Sequence, residues 1–140
     1  MRLAVLALLT LPAAAALAAD PSAEAGRSYQ IEFAARPAAL KAGEAGTLVL
    51  TIATKAGAHV DPRAPLKVTL AATPGLKLSK AQLGRADQAD AKAEAPRFEV
   101  PFTATGAGAQ EASATLDFFV CTDQWCVKQV RDVKLSLAVK

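Results

Sequence analysis

Ala112-Ser-Ala-Thr-Leu-Asp-Phe-Phe-Val-Cys-Thr-Asp-Gln-Trp-Cys-Val127 is the stretch whose reading decides the fold. Ala112, Ala114, Leu116, Phe118 and Val120 recur at every second position, so an extended strand carries them as one apolar stripe. The same period of two runs through the rest of the chain. Tyr29, Ile31 and Phe33 alternate with Gln30 and Glu32, and Leu48, Leu50 and Ile52 share one face of Thr47–Thr54. Leu66, Val68 and Leu70 share one face of Leu66–Ala72, and Leu76–Leu78 follows the Pro74-Gly75 turn. Phe98, Val100 and Phe102 alternate with Glu99 and Pro101, and Val133, Leu135, Leu137 and Val139 close the chain. These are about seven strands, punctuated by Lys41-Ala42-Gly43, Lys55-Ala56-Gly57 and Gly106-Ala107-Gly108.

Short strands with one apolar face each predict an all-β fold of two packed antiparallel sheets, a β-sandwich. Leu50, Ile52, Val68, Leu70, Val100, Phe102, Leu116, Phe118, Leu135 and Leu137 are its predicted core. Pro101 cannot donate to a ladder, which predicts an edge strand or a bulge there. Ser79–Ala95 shows no stripe. Its alanines permit a helical turn, but Gly84 and the missing apolar face favour a long loop.

Among the first 19 of the 140 residues only Arg2 is charged; the apolar run Leu3–Leu11 and an Ala-rich stretch follow it. That order reads as a secretory signal peptide over 1–18, with Ala16-Leu-Ala18 as the cleavage site. Residues 19–27 are small and polar, a loose N-terminal arm, and 28–140 form one sandwich domain with a single core. The 16 Lys+Arg and 13 Asp+Glu are spread along the chain, which argues against a nucleic-acid partner. No later apolar run is long enough for a membrane anchor after cleavage. The expected product is a periplasmic or secreted domain.

Cys121 and Cys126 are the two cysteines. On one continuous strand their Cα atoms would stand about 16 Å apart, whereas a disulfide needs roughly 4.4–6.8 Å. An oxidised pair therefore requires the chain to fold back within Thr122–Trp125, which places the cysteines opposite each other on adjacent strands. Cys121 shares its phase with Asp117 and Phe119, so it faces away from the main core. Three readings of the pair stand side by side. One is a stabilising staple, as oxidising compartments favour. The second is a redox-labile bond, for which a short cross-link at a loop tip is the usual setting. The third is a soft-metal site such as Cu(I), which two thiolates can hold; structural zinc wants four ligands, and His59 is the one histidine. The chain-entropy contribution of so small a loop is about 2 kcal/mol, too little for a domain of this size to depend on.

Leu116-Asp-Phe-Phe-Val-Cys-Thr-Asp-Gln-Trp-Cys126, leading into a terminal alternating strand, resembles the N-terminal domain of the thiol:disulfide interchange protein DsbD family. So do Gly57-Ala-His-Val-Asp-Pro-Arg-Ala-Pro65 and the turn at Pro74–Leu78, and the likeness loosely covers residues 28–140. It implies an immunoglobulin-like sandwich whose cysteine pair exchanges disulfides with a thioredoxin-like or other periplasmic redox protein. It also implies that Cys126 is the attacking thiol and Cys121 the resolving one. Well-known family members place five residues between the cysteines and prolines soon after the second; here four intervene and Val127-Lys128 follows.

Trp125 lies between the cysteines, either packed on the disulfide or exposed as a partner contact. His59 and Asp61 could serve acid–base chemistry, but no nucleophile motif accompanies them, and His59 reads as a surface residue. Gly106-x-Gly108 opens no helix and holds no phosphate. Lys77, Lys80 and Arg85 read as a solvated face. No cofactor and no bound metal are expected.

Overall fold

Alternation becomes pairing in the computed structural model, which describes residues 20–93 and 95–140. A short helix, α1 (Pro21–Arg27), precedes the strands β1 (Tyr29–Arg36), β2 (Ala45–Thr54), β3 (His59–Val60), β4 (Lys67–Ala72), β5 (Leu76–Leu78), β6 (Gln82–Leu83), β7 (Arg97–Ala104), β8 (Gly108–Cys121) and β9 (Cys126–Val139). One sheet has the order β1-β2-β7-β5. In the other, β8 pairs β9 on one side and both β3 and β4 on the other, and β6 extends the sheet from β4. Every ladder between these strands is antiparallel. The first order is the A-B-E-D sheet of an immunoglobulin-like sandwich, and β4-β8-β9 is its C-F-G sheet. The expected sandwich is therefore the observed one.

Its core is the meeting of the two inner stripes. Phe98, Phe118, Leu48, Leu50, Ile52, Leu116, Val68 and Val120 are its largest fully buried side chains. The predicted core residues are all buried except Leu135, which is half-buried against the cluster on β9, a strand with no named strand beyond it among the described residues.

The predicted signal peptide and its cleavage site lie outside the described residues. Several other expectations are corrected. Within the arm expected to be loose, Pro21–Arg27 is helical. Asp20 caps it by accepting from the Ser22 N–H at 3.0 Å, Pro21 presets the first helical φ, and Ala25 is buried. The Ser79–Ala95 segment contains β6, a single 3-10 turn at Arg85–Asp87, and a bridge from Gln88 to Phe98. Two-residue strands such as β3 and β6 are too short to show a period, so the alternation could not reveal them. Pro101 is neither on an edge strand nor in a bulge: β7 lies between β2 and β5, and Pro101 stays in register with Thr47. Its carbonyl accepts from the Ser79 N–H at 2.9 Å, one residue past the end of β5. The donor that proline lacks thus falls where that ladder stops.

β9 begins at Cys126, well before Val133. Its inner face there carries Gln129 and Arg131 in place of apolar residues, which hides the stripe. Gln129 is 4% exposed and accepts from the Tyr29 hydroxyl at 2.9 Å and from Arg131 Nη2 at 2.7 Å. Tyr29 packs edge-on against Phe118, with ring centroids 5.1 Å apart, and the Arg131 guanidinium lies 5.8 Å from the Tyr29 ring centre. This group ties β1 to β9 and joins the two sheets along that side.

Candidate functional site

The hairpin joining β8 and β9 makes the site. Fourteen residues of each strand pair in unbroken register, and the last rung is Cys121 opposite Cys126. The loop between them closes with the Thr122 N–H donating to the Trp125 carbonyl at 2.8 Å, and the Thr122 hydroxyl accepts from the Gln124 N–H at 3.2 Å. That fold-back brings the two Cα atoms to 4.1 Å, and a disulfide joins the pair. The sequence-based geometry of a cross-strand pair is the observed one.

The two cysteines differ in their surroundings. Both project to the face away from the core, in opposite phase to Phe118 and Val120. Cys121 is nevertheless only 3% exposed, whereas Cys126 is exposed. The cause is β3. His59 pairs with Cys121, and the chain beyond β3 continues along β8, with the Asp61 N–H donating to the Phe119 carbonyl at 3.1 Å. Cys126 stands on β9, which among the described residues has β8 on one side and no named strand on the other.

Asp61 closes the buried side. Its Oδ2 lies 4.0 Å from Cys121 Sγ. The Arg63 backbone N–H donates to Asp61 Oδ1 at 2.9 Å and is the main reason the carboxyl sits below its ordinary value. The charges of Arg63 and His59 act in the same direction, against partial desolvation. Arg85 fixes the loop behind it, its guanidinium donating to the carbonyls of Asp61 and of Ala64, the latter at 2.9 Å. Arg85 is therefore half-buried and structural, which corrects its place on a solvated face; Lys77 and Lys80 are exposed, and Lys80 pairs with Asp87. His59 is exposed, as expected.

Trp125 is half-buried and packs against the hydrophobic cluster, on the opposite face from the sulfurs. Beyond β3 a cavity of about 510 Å³ opens, lined by His59, Arg85, Lys92 and Asp123 among others, but by neither cysteine. Sequence reasoning grouped Asp61 with His59 and did not place it beside Cys121. Asp61 is 60 positions from Cys121, and only the pairing of a two-residue strand brings them together.

No family model matches the chain, and no curated protein does. Among solved structures, the chain is similar to a conjugative transposon lipoprotein from Bacteroides eggerthii, with a TM-score of 0.45 and 11% identity. The likeness covers 79% of this chain and 97% of that one. The fold assignment rests on the strand order and not on this likeness. Among the described residues, no helix is long and apolar enough to cross a membrane.

Proposed function

We propose that this domain exchanges disulfides with a thioredoxin-like or other periplasmic redox protein through Cys121 and Cys126, as members of the DsbD family it resembles do. The observation that carries this reading is the asymmetry of the pair: one rung holds a buried cysteine and an exposed one. A partner thiolate has access to Cys126. Attack there breaks the Cys121–Cys126 bond, forms a mixed disulfide at Cys126, and leaves Cys121 as a thiolate that takes up a proton. A second partner thiol then displaces Cys126, losing its proton to it, so the partner leaves oxidised and the domain reduced. In the reverse direction Cys126 attacks an oxidised protein and Cys121 resolves. Asp61 supports that assignment, because its negative charge beside Cys121 disfavours a thiolate there and leaves Cys126 as the nucleophile.

A second reading needs fewer parts: a non-catalytic exported β-sandwich in which the disulfide only pins the hairpin. Its support is the position of the bond on the last rung before the loop, where it holds the two ends of the loop together. What stands independently of either reading is a disulfide within an antiparallel β-sandwich.

Mixed-disulfide trapping separates the two. With Cys121→Ala, the remaining Cys126 should hold a thioredoxin-like partner as a covalent adduct visible on a non-reducing gel. Trapping by Cys126→Ala alone would reverse the roles. If neither variant traps and reduction unfolds the domain, the bond is a clip and the exchange reading falls.

A further inference from the structure

We infer that reduction of the Cys121–Cys126 bond converts the hairpin tip into a zinc site built from the two thiolates and the Asp61 carboxylate. The inference rests on the exchange reading in one respect, that the bond can be reduced in the folded domain; it needs no protein partner.

Three donors of the right chemistry already converge. One ligand atom each from Asp61, Cys121 and Cys126 lie within 4.8 Å of one another, and Asp61 Oδ2 is 4.0 Å from Cys121 Sγ. A tetrahedral zinc ion holds thiolates at about 2.3 Å and carboxylate oxygens at about 2.0–2.2 Å, so neighbouring donors stand roughly 3.5–3.8 Å apart. The carboxylate is therefore nearly at shell distance before anything moves. The sulfurs must separate by a little under ~2 Å from bonding distance. The two Cα atoms stand 4.1 Å apart across the rung, and rotation of both side chains about χ1 swings the sulfurs away from each other.

The backbone also keeps the donors together once the covalent bond is gone. Cys121 and Cys126 remain opposite each other because the β8–β9 ladder fixes the rung. Asp61 stays beside them because its N–H is bonded to Phe119 and its carbonyl to Arg85. The exposed side at Cys126 leaves the fourth position to water. The third donor decides the metal. Two thiolates alone suit Cu(I), but a carboxylate oxygen is a hard donor that Cu(I) does not seek and zinc accepts.

A phosphine reductant gives an electron pair to the S–S bond, takes an oxygen atom from water to become the phosphine oxide, and the water protons leave two thiols. Zinc then forms two Zn–S bonds and releases those two protons to solvent. A zinc-loaded tip has no free thiolate, so the metal and a redox partner compete for Cys126.

The test is a zinc titration of the full domain, reduced with a water-soluble phosphine, freed of it without oxygen, and followed against a chromophoric chelator with circular dichroism in parallel. The reduced domain should bind one zinc ion per chain, and the disulfide form should compete no better than a cysteine-free variant. Asp61→Asn should weaken the reduced form roughly tenfold or more with the fold and both thiols intact. Cadmium in place of zinc should give sulfur-to-metal absorption that Cys126→Ser diminishes. Equal binding by reduced and oxidised forms would overturn the site, as would an Asp61→Asn affinity within about twofold of the parent. Unfolding on reduction would remove both this site and the exchange reading. Loss of zinc binding with mixed-disulfide trapping preserved would remove the zinc site alone.

Discussion

Two rungs of the β8–β9 hairpin are built in opposite ways. At the tip, Cys121 and Cys126 are joined covalently on the face turned away from the core, and Cys126 is open to solvent. Three rungs away, Phe118 pairs with Gln129 on the inner face, where both are buried and Tyr29 and Arg131 complete the contact with β1. The first rung is held by one strong bond and is open at Cys126; the second has weak contacts in large number. Strand parity separates them. Side chains of even number on β8 hold the sandwich together, while odd-numbered Cys121 sits on the opposite face.

The comparison breaks most readily at the inner rung. Phe118→Ala should destabilise the domain by about 3–5 kcal/mol in equilibrium denaturation, because it leaves a cavity under Tyr29. A loss under about 1 kcal/mol would mean that the core does not lie on this stripe. Gln129→Ala is expected to cost about 1–3 kcal/mol, since it leaves the Tyr29 hydroxyl without its acceptor. Alkaline pH probes the same contact. Burial raises the Tyr29 pKa, with the Arg131 charge opposing it. The folded state therefore favours the neutral phenol. That contribution is fully present below the ordinary value near 10 and is lost as pH rises through the raised folded value. Unfolding measured at about pH 8 and about pH 11 should show a larger fall in stability for the parent than for Tyr29→Phe. Equal falls would place the titration elsewhere.

What the sequence revealed follows the same division. Period-two stripes are written wherever one face is apolar, so the long strands and nearly all of the core were readable from residues such as Leu116 and Phe118. The fold-back at Thr122–Trp125 was readable too, because chain geometry allows a disulfide between Cys121 and Cys126 in no other way. The first half of β9 was not, since Gln129 and Arg131 put polar atoms on the inner face and their partner, Tyr29, is a hundred residues away. The contact of Asp61 with Cys121 was hidden for a similar reason. It depends on β3, whose two residues carry no pattern, and on Arg85, whose guanidinium holds the loop from another segment. Long-range polar contacts leave no local trace.

Disulfide exchange at the tip requires a fold that does not depend on the bond. The most direct measurement is equilibrium unfolding of the oxidised and reduced domain under otherwise identical conditions. The reduced domain should remain folded, with a cooperative transition and a loss of no more than about 2 kcal/mol, the chain-entropy contribution of so short a loop. A reduced domain without a folded baseline would contradict the exchange reading, and would make the disulfide a structural requirement of the sandwich.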